Sequence, residues 1–507
     1  MPQTSVLLIL EGTYPFNGGG VSTWAHTLCN RVSNADFKLY SINASFEQKP
    51  KYELSKNISE VIQVPLWTPD EPYDYISYGE EYYKTVAKKE WTTSKIVEQK
   101  FVPLFRRLLS FIYSDNQEIS ELDEIFYELW LYFDDYDYKE TIRNEQVWIA
   151  YRDTVSKFIV GERNPDSSLI DLTVGLRWIY RFLIPLAIVD LPKVDVAHLT
   201  LSGFPVIPAL IANYKYGAKI ILTEHGVFIR ERLLAINSSE YPFFLKQLLI
   251  RFSEAVARLV YHKSEMIISV NKFNQKWEKW YGADPSKFKT IYNGIDPEIF
   301  KPGPKPAHLK NIPTVVAVAR IFELKDILTM IRSCAVVKRS IPDIRYIVYG
   351  DDKAVPEYTE TCLKLINELG LQENFKFMGN RNNPEELFLE GDISILTSIS
   401  EGFPYTVIES LACGVPVVST DVGGVKEALD ESCGFTCKPK DAEEIGEKVV
   451  KLLLDETLRK EMAVKGRERI LKNFTMNKFI AEYEDIYDNL KYPTKKQDKK
   501  EEAATLY

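Results

Sequence analysis

Among the 507 residues only six are cysteines, Cys29, Cys334, Cys362, Cys413, Cys433 and Cys437, and no two form a C-x-x-C pair. A small disulfide scaffold is excluded, and no cysteine pair completes a metal-ligand set. No basic-plus-apolar leader precedes the first strand-like run, so a reducing, cytoplasmic protein is expected. Long apolar stretches are also missing. The longest, Phe182 to Val189, is interrupted by Pro185 and preceded by Arg181, far short of the roughly 20 residues that a membrane-spanning helix needs. Membrane association is therefore expected only through a partner. A net positive charge is lacking: 63 Lys and Arg stand against 72 Asp and Glu, a formal net charge of -9. Such a balance argues against nucleic acid as a partner, because displacing phosphate counterions requires a basic face. Any anionic ligand must be met by local groups.

What is present is the composition of a folded chain of two or more domains: 45% hydrophobic, 27% charged and 12% aromatic residues. Val6 to Leu10 is a continuous apolar run suited to a buried parallel strand, followed by a loop to Gly20 and by Val21, Trp24, Ala25 and Leu28 at helical spacing. Aromatic and acidic helical segments fill about 68–191. Strand candidates then resume at Val194 to Leu199, Lys219 to Thr223 and Met266 to Val270, with a helix at Phe244 to His262. Five prolines between Pro297 and Pro313 predict a linker. Beyond it, Thr314 to Ala319, Tyr346 to Tyr349, Ile393 to Leu396 and Val415 to Ser419 read as a second set of strands. The expected fold is α/β, with two Rossmann-like domains facing a cleft. Their expected limits are 1–296 with a helical insertion, a 297–313 linker, 314–490, and a flexible 491–507 tail.

The most informative stretch runs from Ser398 to Glu409, between two strand candidates. Pro404 suits the first turn of a helix and Gly414 with Pro416 its end, so the amides of Phe403, Tyr405 and Thr406 are expected at a helix N-terminus. That terminus can receive a diphosphate, while Glu401 and Glu409 can accept sugar hydroxyls. A solvated cap and a surface helix residue are the bland alternative for the two glutamates. Arg320, at the end of a strand, and Lys325, before the helix Asp326 to Lys338, supply positive charge where parallel strands face their ligands, although a pair of surface cations reads the same way in isolation. Gly18-Gly19-Gly20 lets backbone approach a ligand and equally suits a flexible turn. It is not a G-x-G-x-x-G element, and no G-x-x-x-x-G-K-[ST] loop is present. His225 closes a strand candidate in Thr223-Glu224-His225-Gly226. The other histidines, His26, His198, His262 and His308, form no close ligand set, so no metal is expected.

Taken together, Gly18 to Gly20, His225, Arg320 with Lys325, and Glu401 with Glu409 followed by Ser410 to Thr420 resemble the retaining nucleotide-sugar glycosyltransferases of family 4, which have the GT-B fold. Leu10 to Trp24 and Thr223 to Arg232, with the long insertion between them, resemble the branch called PelF, which serves assembly of the Pel exopolysaccharide. That branch tends to read S-E-A-Q-P where this chain has Ser400-Glu401-Gly402-Phe403-Pro404.

The resemblance implies that residues 1–296 are the acceptor side and 314–490 bind the donor. It implies that Arg320 and Lys325 contact the donor diphosphate, Glu409 the ribose, and Glu401 with neighbouring amides the transferred sugar. Gly19 and Gly20 would close over the phosphates, His225 would line the sugar site, and Asn380-Arg381 would approach the base. No cofactor is implied; a UDP-sugar is the donor substrate. The implied reaction moves a hexosyl unit onto a growing exopolysaccharide, as in biofilm formation, beside a membrane synthase and export complex. The alternatives are a family 4 transferase for a lipid-linked or cell-wall glycan, a GT-B nucleotide-sugar epimerase, and a nucleotide-sugar-binding scaffold without catalysis.

Overall fold

A computed structural model gives the fold and describes residues 3–45, 48–76, 79–115, 118–161, 168–188, 190–353, 355–381 and 383–491. Its first sheet is built on β1 (Thr4–Glu11), whose residues Val6 to Leu10 are all fully buried, so both faces must be covered. Around it lie β2 (Ala35–Ile42), β3 (Ile58–Val64), β4 (Val196–Leu199), β5 (Lys219–Glu224), β6 (Met266–Ser269) and β7 (Phe288–Thr290), in the order β3-β2-β1-β4-β5-β6-β7. β1 pairs in parallel with both β2 and β4. The strand order reverses between those two neighbours, which makes the carboxyl end of β1 a switch point.

The expected insertion is helical. Between β3 and β4 stand Tyr82–Trp91, Val102–Tyr113, Ile119–Asp135, Glu145–Gly161 and Leu169–Leu183. Its aromatic residues are core: Phe101, Phe105, Phe126 and Phe182 share one buried cluster with Leu7, Ile9 and Tyr40 of the sheet. The Phe182 and Phe204 rings stack 3.6 Å apart. The segment therefore covers one sheet face rather than standing apart from it.

The second sheet comprises β8 (Thr314–Val318), β9 (Arg345–Tyr349), β10 (Phe375–Phe377), β11 (Ile393–Leu396), β12 (Val417–Thr420) and β13 (Gly434–Cys437), ordered β10-β9-β8-β11-β12-β13. Every neighbouring pair is parallel. This is the doubly wound order, and its switch point falls between β8 and β11.

The chain forms two compact units, one containing everything up to Ser269, Gln275–Lys289 and the chain from Tyr483 onward, the other Val270–Asn274 and Thr290–Glu482. These limits differ from the expected ones in two places. Residues 297–313 are not a free linker but pack within the second unit, where Lys305 Nζ donates to Asp392 Oδ2 at 2.7 Å and to Ile312 O at 2.8 Å. Fixed φ at the prolines stiffens a docked segment as readily as a spacer. The helix Met476–Lys491 also does not stay in the second unit. Tyr483 and Tyr487 are fully buried in the first, with Tyr487 Oη 2.8 Å from His198 Nδ1. Of the expected 491–507 tail, only Lys491 lies within the described residues; its ammonium is 2.9 Å from Asp195.

All six cysteines are buried and unpaired. Among the described residues no helix is long and apolar enough to cross a membrane, and no group of three His, Cys, Asp or Glu side chains could hold a metal ion.

Candidate active site

In the second unit the loops leaving β8 and β11 are stitched together at the switch point. Thr397 Oγ1 donates to the carbonyls of Lys325 and Asp326 at 2.9 and 3.1 Å, and Ile399 N donates to Leu324 O at 2.9 Å. Asp326 adopts φ 45° and caps the helix Ile327–Ser340 by accepting from Thr329 N. The helix therefore starts one residue later than expected, because this aspartate serves as its cap. The turn aims Lys325 at Glu401. Lys325 Nζ lies 2.5 Å from Glu401 Oε1, and Ser398 Oγ donates to the same oxygen at 2.6 Å. Arg320 is exposed at the end of the β8 segment, its guanidinium 4.9 Å from the centre of the Phe322 ring.

The helix Tyr405–Ala412 begins directly after this loop. Pro404 is its N-cap, one position before the expected first turn. Tyr405 and Thr406 are the first two helical residues, so the helix does present its N-terminus beside Glu401. Phe403 contributes its ring to the core, between Tyr292 and Phe474, and its carbonyl accepts from Asn293 Nδ2 at 2.9 Å. Glu409 is not a free surface carboxylate: burial, reinforced by Glu385, pushes it up to about 8, so the carboxyl is largely protonated at neutral pH. Arg381 is exposed after β10, close enough to Tyr349 to act on its phenol electrostatically.

Residues not anticipated from the sequence support this loop. Asn271 Nδ2 donates to Gly402 O at 2.9 Å and Gly424 N donates to the same carbonyl at 2.8 Å. A Cβ on Gly424 would lie 2.6 Å from Asn271 Cβ and 2.7 Å from Gly402 O, so the turn beside Glu401 needs glycine there. Glu427 accepts from the amides of Lys272 and Phe273 at 2.8 and 3.0 Å, holding the Asn271 segment. The Gly-Gly dipeptide after a strand was the one available signal.

The first unit carries the remaining candidates. Gly19 is the N-cap of the helix Gly20–Arg31 at φ 143°, and a Cβ at Gly18, Gly19 or Gly20 would meet nothing within 4 Å. Gly19 is thus required by its backbone conformation, whereas the space beside all three is open. His225 follows β5, its ring edge-on to Trp24 at 4.7 Å between centroids. Burial lowers its pKa to about 3, so the imidazole is neutral, and its Nε2 is buried without a hydrogen-bond partner. An orphaned ring nitrogen in a strand-end position is available to a ligand hydroxyl. The structure thus gathers Arg320, Lys325, Glu401, Phe403, Tyr405, Thr406, Glu409 and Arg381 in one unit, and places Gly19, Gly20 and His225 in the other.

Residues 4–286 match the family described as "Domain of unknown function (DUF3492)", and residues 303–469 match "Glycosyl transferases group 1". The N-acetyl-alpha-D-glucosaminyl L-malate synthase of Bacillus anthracis is 26% identical over 305 residues, 58% of this chain and 74% of that protein. The trehalose synthase of Pyrococcus horikoshii is 33% identical over 185 residues, 35% of this chain and 44% of that enzyme, so the chain spans under half of its length. The crystal structure of Anabaena Alr3699/HepE in complex with UDP superposes with a TM-score of 0.59 at 14% identity, covering 96% of this chain and 100% of its own. At that identity the likeness is one of fold, and it makes the two parallel sheets a GT-B pair. The DUF3492 match takes in more than half of the sequence, so the chain belongs to that family, while residues 303–469 are similar to group 1 glycosyl transferases.

Proposed function

We propose that the protein is a retaining hexosyltransferase that takes a sugar from UDP and adds it to a growing exopolysaccharide of the Pel type, on the cytoplasmic side of a membrane export complex. The observation that carries the reading is the Lys325–Glu401–Ser398 cluster at the β8/β11 switch point, immediately before the N-terminus of a helix that bears Glu409. A UDP ligand in the similarly folded HepE supports a nucleotide-sugar donor. The resemblance of Leu10 to Trp24 and Thr223 to Arg232 to the PelF branch supports the polymer.

In this reading Arg320 and Lys325 bind the diphosphate. An ammonium group has three donors, so Lys325 can hold Glu401 and a phosphate oxygen together. As the bond between the anomeric carbon and the diphosphate oxygen breaks, negative charge grows on the leaving phosphate, where the cations and the helix amides of Tyr405 and Thr406 stabilise it. The acceptor hydroxyl bonds to the anomeric carbon on the same face and passes its proton to the departing phosphate, giving UDP and the extended glycan. Glu401 and His225 orient the sugar, Glu409 the ribose, and Gly19 and Gly20 adjoin the phosphates. Arg381 approaches the base. No metal or other cofactor takes part.

Purified protein incubated with a set of UDP-sugars and Pel-type oligosaccharides tests this by UDP release and by the anomeric configuration of the product in proton NMR. Retention with transfer is expected; inversion, or no turnover of any UDP-sugar, overturns it. A lipid-linked or cell-wall acceptor is the second reading, favoured by Gly402-Phe403 at the place where the PelF branch carries Ala-Gln. Transfer to a polyprenyl-linked acceptor in preference to the oligosaccharide would decide for it.

A further inference from the structure

Directly before His225 the chain buries a carboxyl group that the proposed reaction does not use. Glu224 is fully buried and accepts hydrogen bonds from Ser202 Oγ at 2.5 Å, Tyr261 Oη at 3.0 Å and Phe228 N at 3.2 Å. A second fully buried carboxyl, Glu278 of the helix Gln275–Trp280, is hydrogen-bonded to it. Ser269 Oγ lies 2.8 Å from each oxygen of Glu278.

The donor inventory is short by one proton if both acids are ionised. Ser269 has one hydroxyl hydrogen and can satisfy one Glu278 oxygen, and a carboxylate cannot donate to its neighbour. Among the described residues no basic side chain pairs with either acid. Glu231, of the helix Phe228–Ser238, adds repulsion to Glu224, and Arg230 of the same helix holds its guanidinium 5.6 Å from the centre of the Trp277 ring, the ring of the residue before Glu278. Tyr261, from the helix Phe243–Lys263, donates to Glu224, and the neutral His225 is the next residue along the chain. Two contacting carboxylates without a cation cannot both stay charged in such a place. Burial first, and then their mutual repulsion, raises Glu278; burial raises Glu224.

We propose that Glu224 and Glu278 share a single proton and that this acid pair is the positioning device for His225. Through Glu224 the pair holds the loop after β4, the helix Phe243–Lys263 and the start of the helix Phe228–Ser238; through Glu278 it holds the end of β6. His225 is the next residue along the chain from this knot. Loss of the proton leaves two like charges in contact, the knot loosens, and the imidazole loses its fixed direction. The effect on turnover rests on the transferase reading; the shared proton itself does not.

The proton is read first without any activity measurement. Infrared spectra of the full chain at neutral pH are expected to contain protonated-carboxyl absorption from the pair beside that of Glu409; Glu278→Gln is expected to remove the pair's part, and wild type at about pH 10, above the raised range of all three, to lose the whole. A band that is missing from wild type at neutral pH, or unchanged by the substitution, overturns the proposal whatever the enzyme does. Turnover is read second. Glu278→Ala is expected to lower kcat about tenfold or more with a smaller change in the donor KM, the pattern of a misplaced group rather than a lost binding contact. Glu278→Gln, which can donate to Glu224 but has no proton to lose, is expected to regain most of that kcat and to lose the alkaline limb of the kcat profile. Glutamine no better than alanine, or an unchanged alkaline limb, counts against positioning.

Discussion

Lys325 Nζ lies 2.5 Å from Glu401 Oε1, so a cation leaving the first strand of the second sheet is clasped by a carboxylate leaving its fourth. The two side chains are 21% and 11% exposed, which shields the pair from solvent more than an ordinary surface bridge. In the proposed reaction, replacing Lys325 with alanine is expected to lower kcat by about 10²-fold or more, because it would remove charge from the place where the leaving phosphate gains it. UDP release at saturating donor measures this; turnover within a few-fold of wild type would remove Lys325 from the mechanism.

Glu409 gives a pH signature. Its carboxyl is raised to about 8 by burial and then by Glu385, and it accepts hydroxyl hydrogen bonds best when ionised. UDP affinity should therefore rise as pH passes upward through about 8. Glu385→Gln removes the second cause, lowers the pKa, and should move the rise to lower pH. Calorimetric titration of UDP into both proteins at a series of pH values tests the direction of the shift.

Gly424 supports the Glu401 loop through close contact. A methyl group there would press on Asn271 Cβ and the Gly402 carbonyl. Gly424→Ala should shift the Glu401 loop and reduce kcat by about tenfold or more, as small misplacements do, while the protein still folds. Circular dichroism together with UDP release separates the two effects.

Tyr487 bears on stability rather than chemistry. Its hydroxyl meets His198 Nδ1 at 2.8 Å, while Thr223 Oγ1 lies 2.8 Å from Nε2. Burial keeps this imidazole neutral, with its pKa lowered to about 3. Tyr487→Phe leaves a buried ring nitrogen without its partner and should cost about 1–3 kcal/mol, read as a lower urea midpoint with little change in kcat.

Much of this arrangement can be read directly from residues. Val6 to Leu10 and Ile393 to Leu396 are uninterrupted apolar runs because both faces of their strands are covered, and they become β1 and β11. β3 was not legible: in Ile58–Val64 only Val64 is fully enclosed, so an edge strand carries exposed Glu60 and loses the run. β10 and β13 are three and four residues long, too short for a period to register. At the site, Glu401, Glu409, Arg320 and Lys325 stand near strand ends or the helix start in the sequence itself. Asn271 lies 131 residues from the carbonyl it holds, and the Glu224–Glu278 bond joins segments separated by a long helix, so neither has a local signature.

The helix Met476–Lys491 also bears on any attempt to prepare the halves separately. A fragment ending at Lys289 would lack Tyr483 and Tyr487, leaving a hole beside Trp24 and His198 where those rings belong. Such a piece is expected to aggregate, and to be rescued in trans by a peptide bearing residues 476–491, the behaviour of a split reporter.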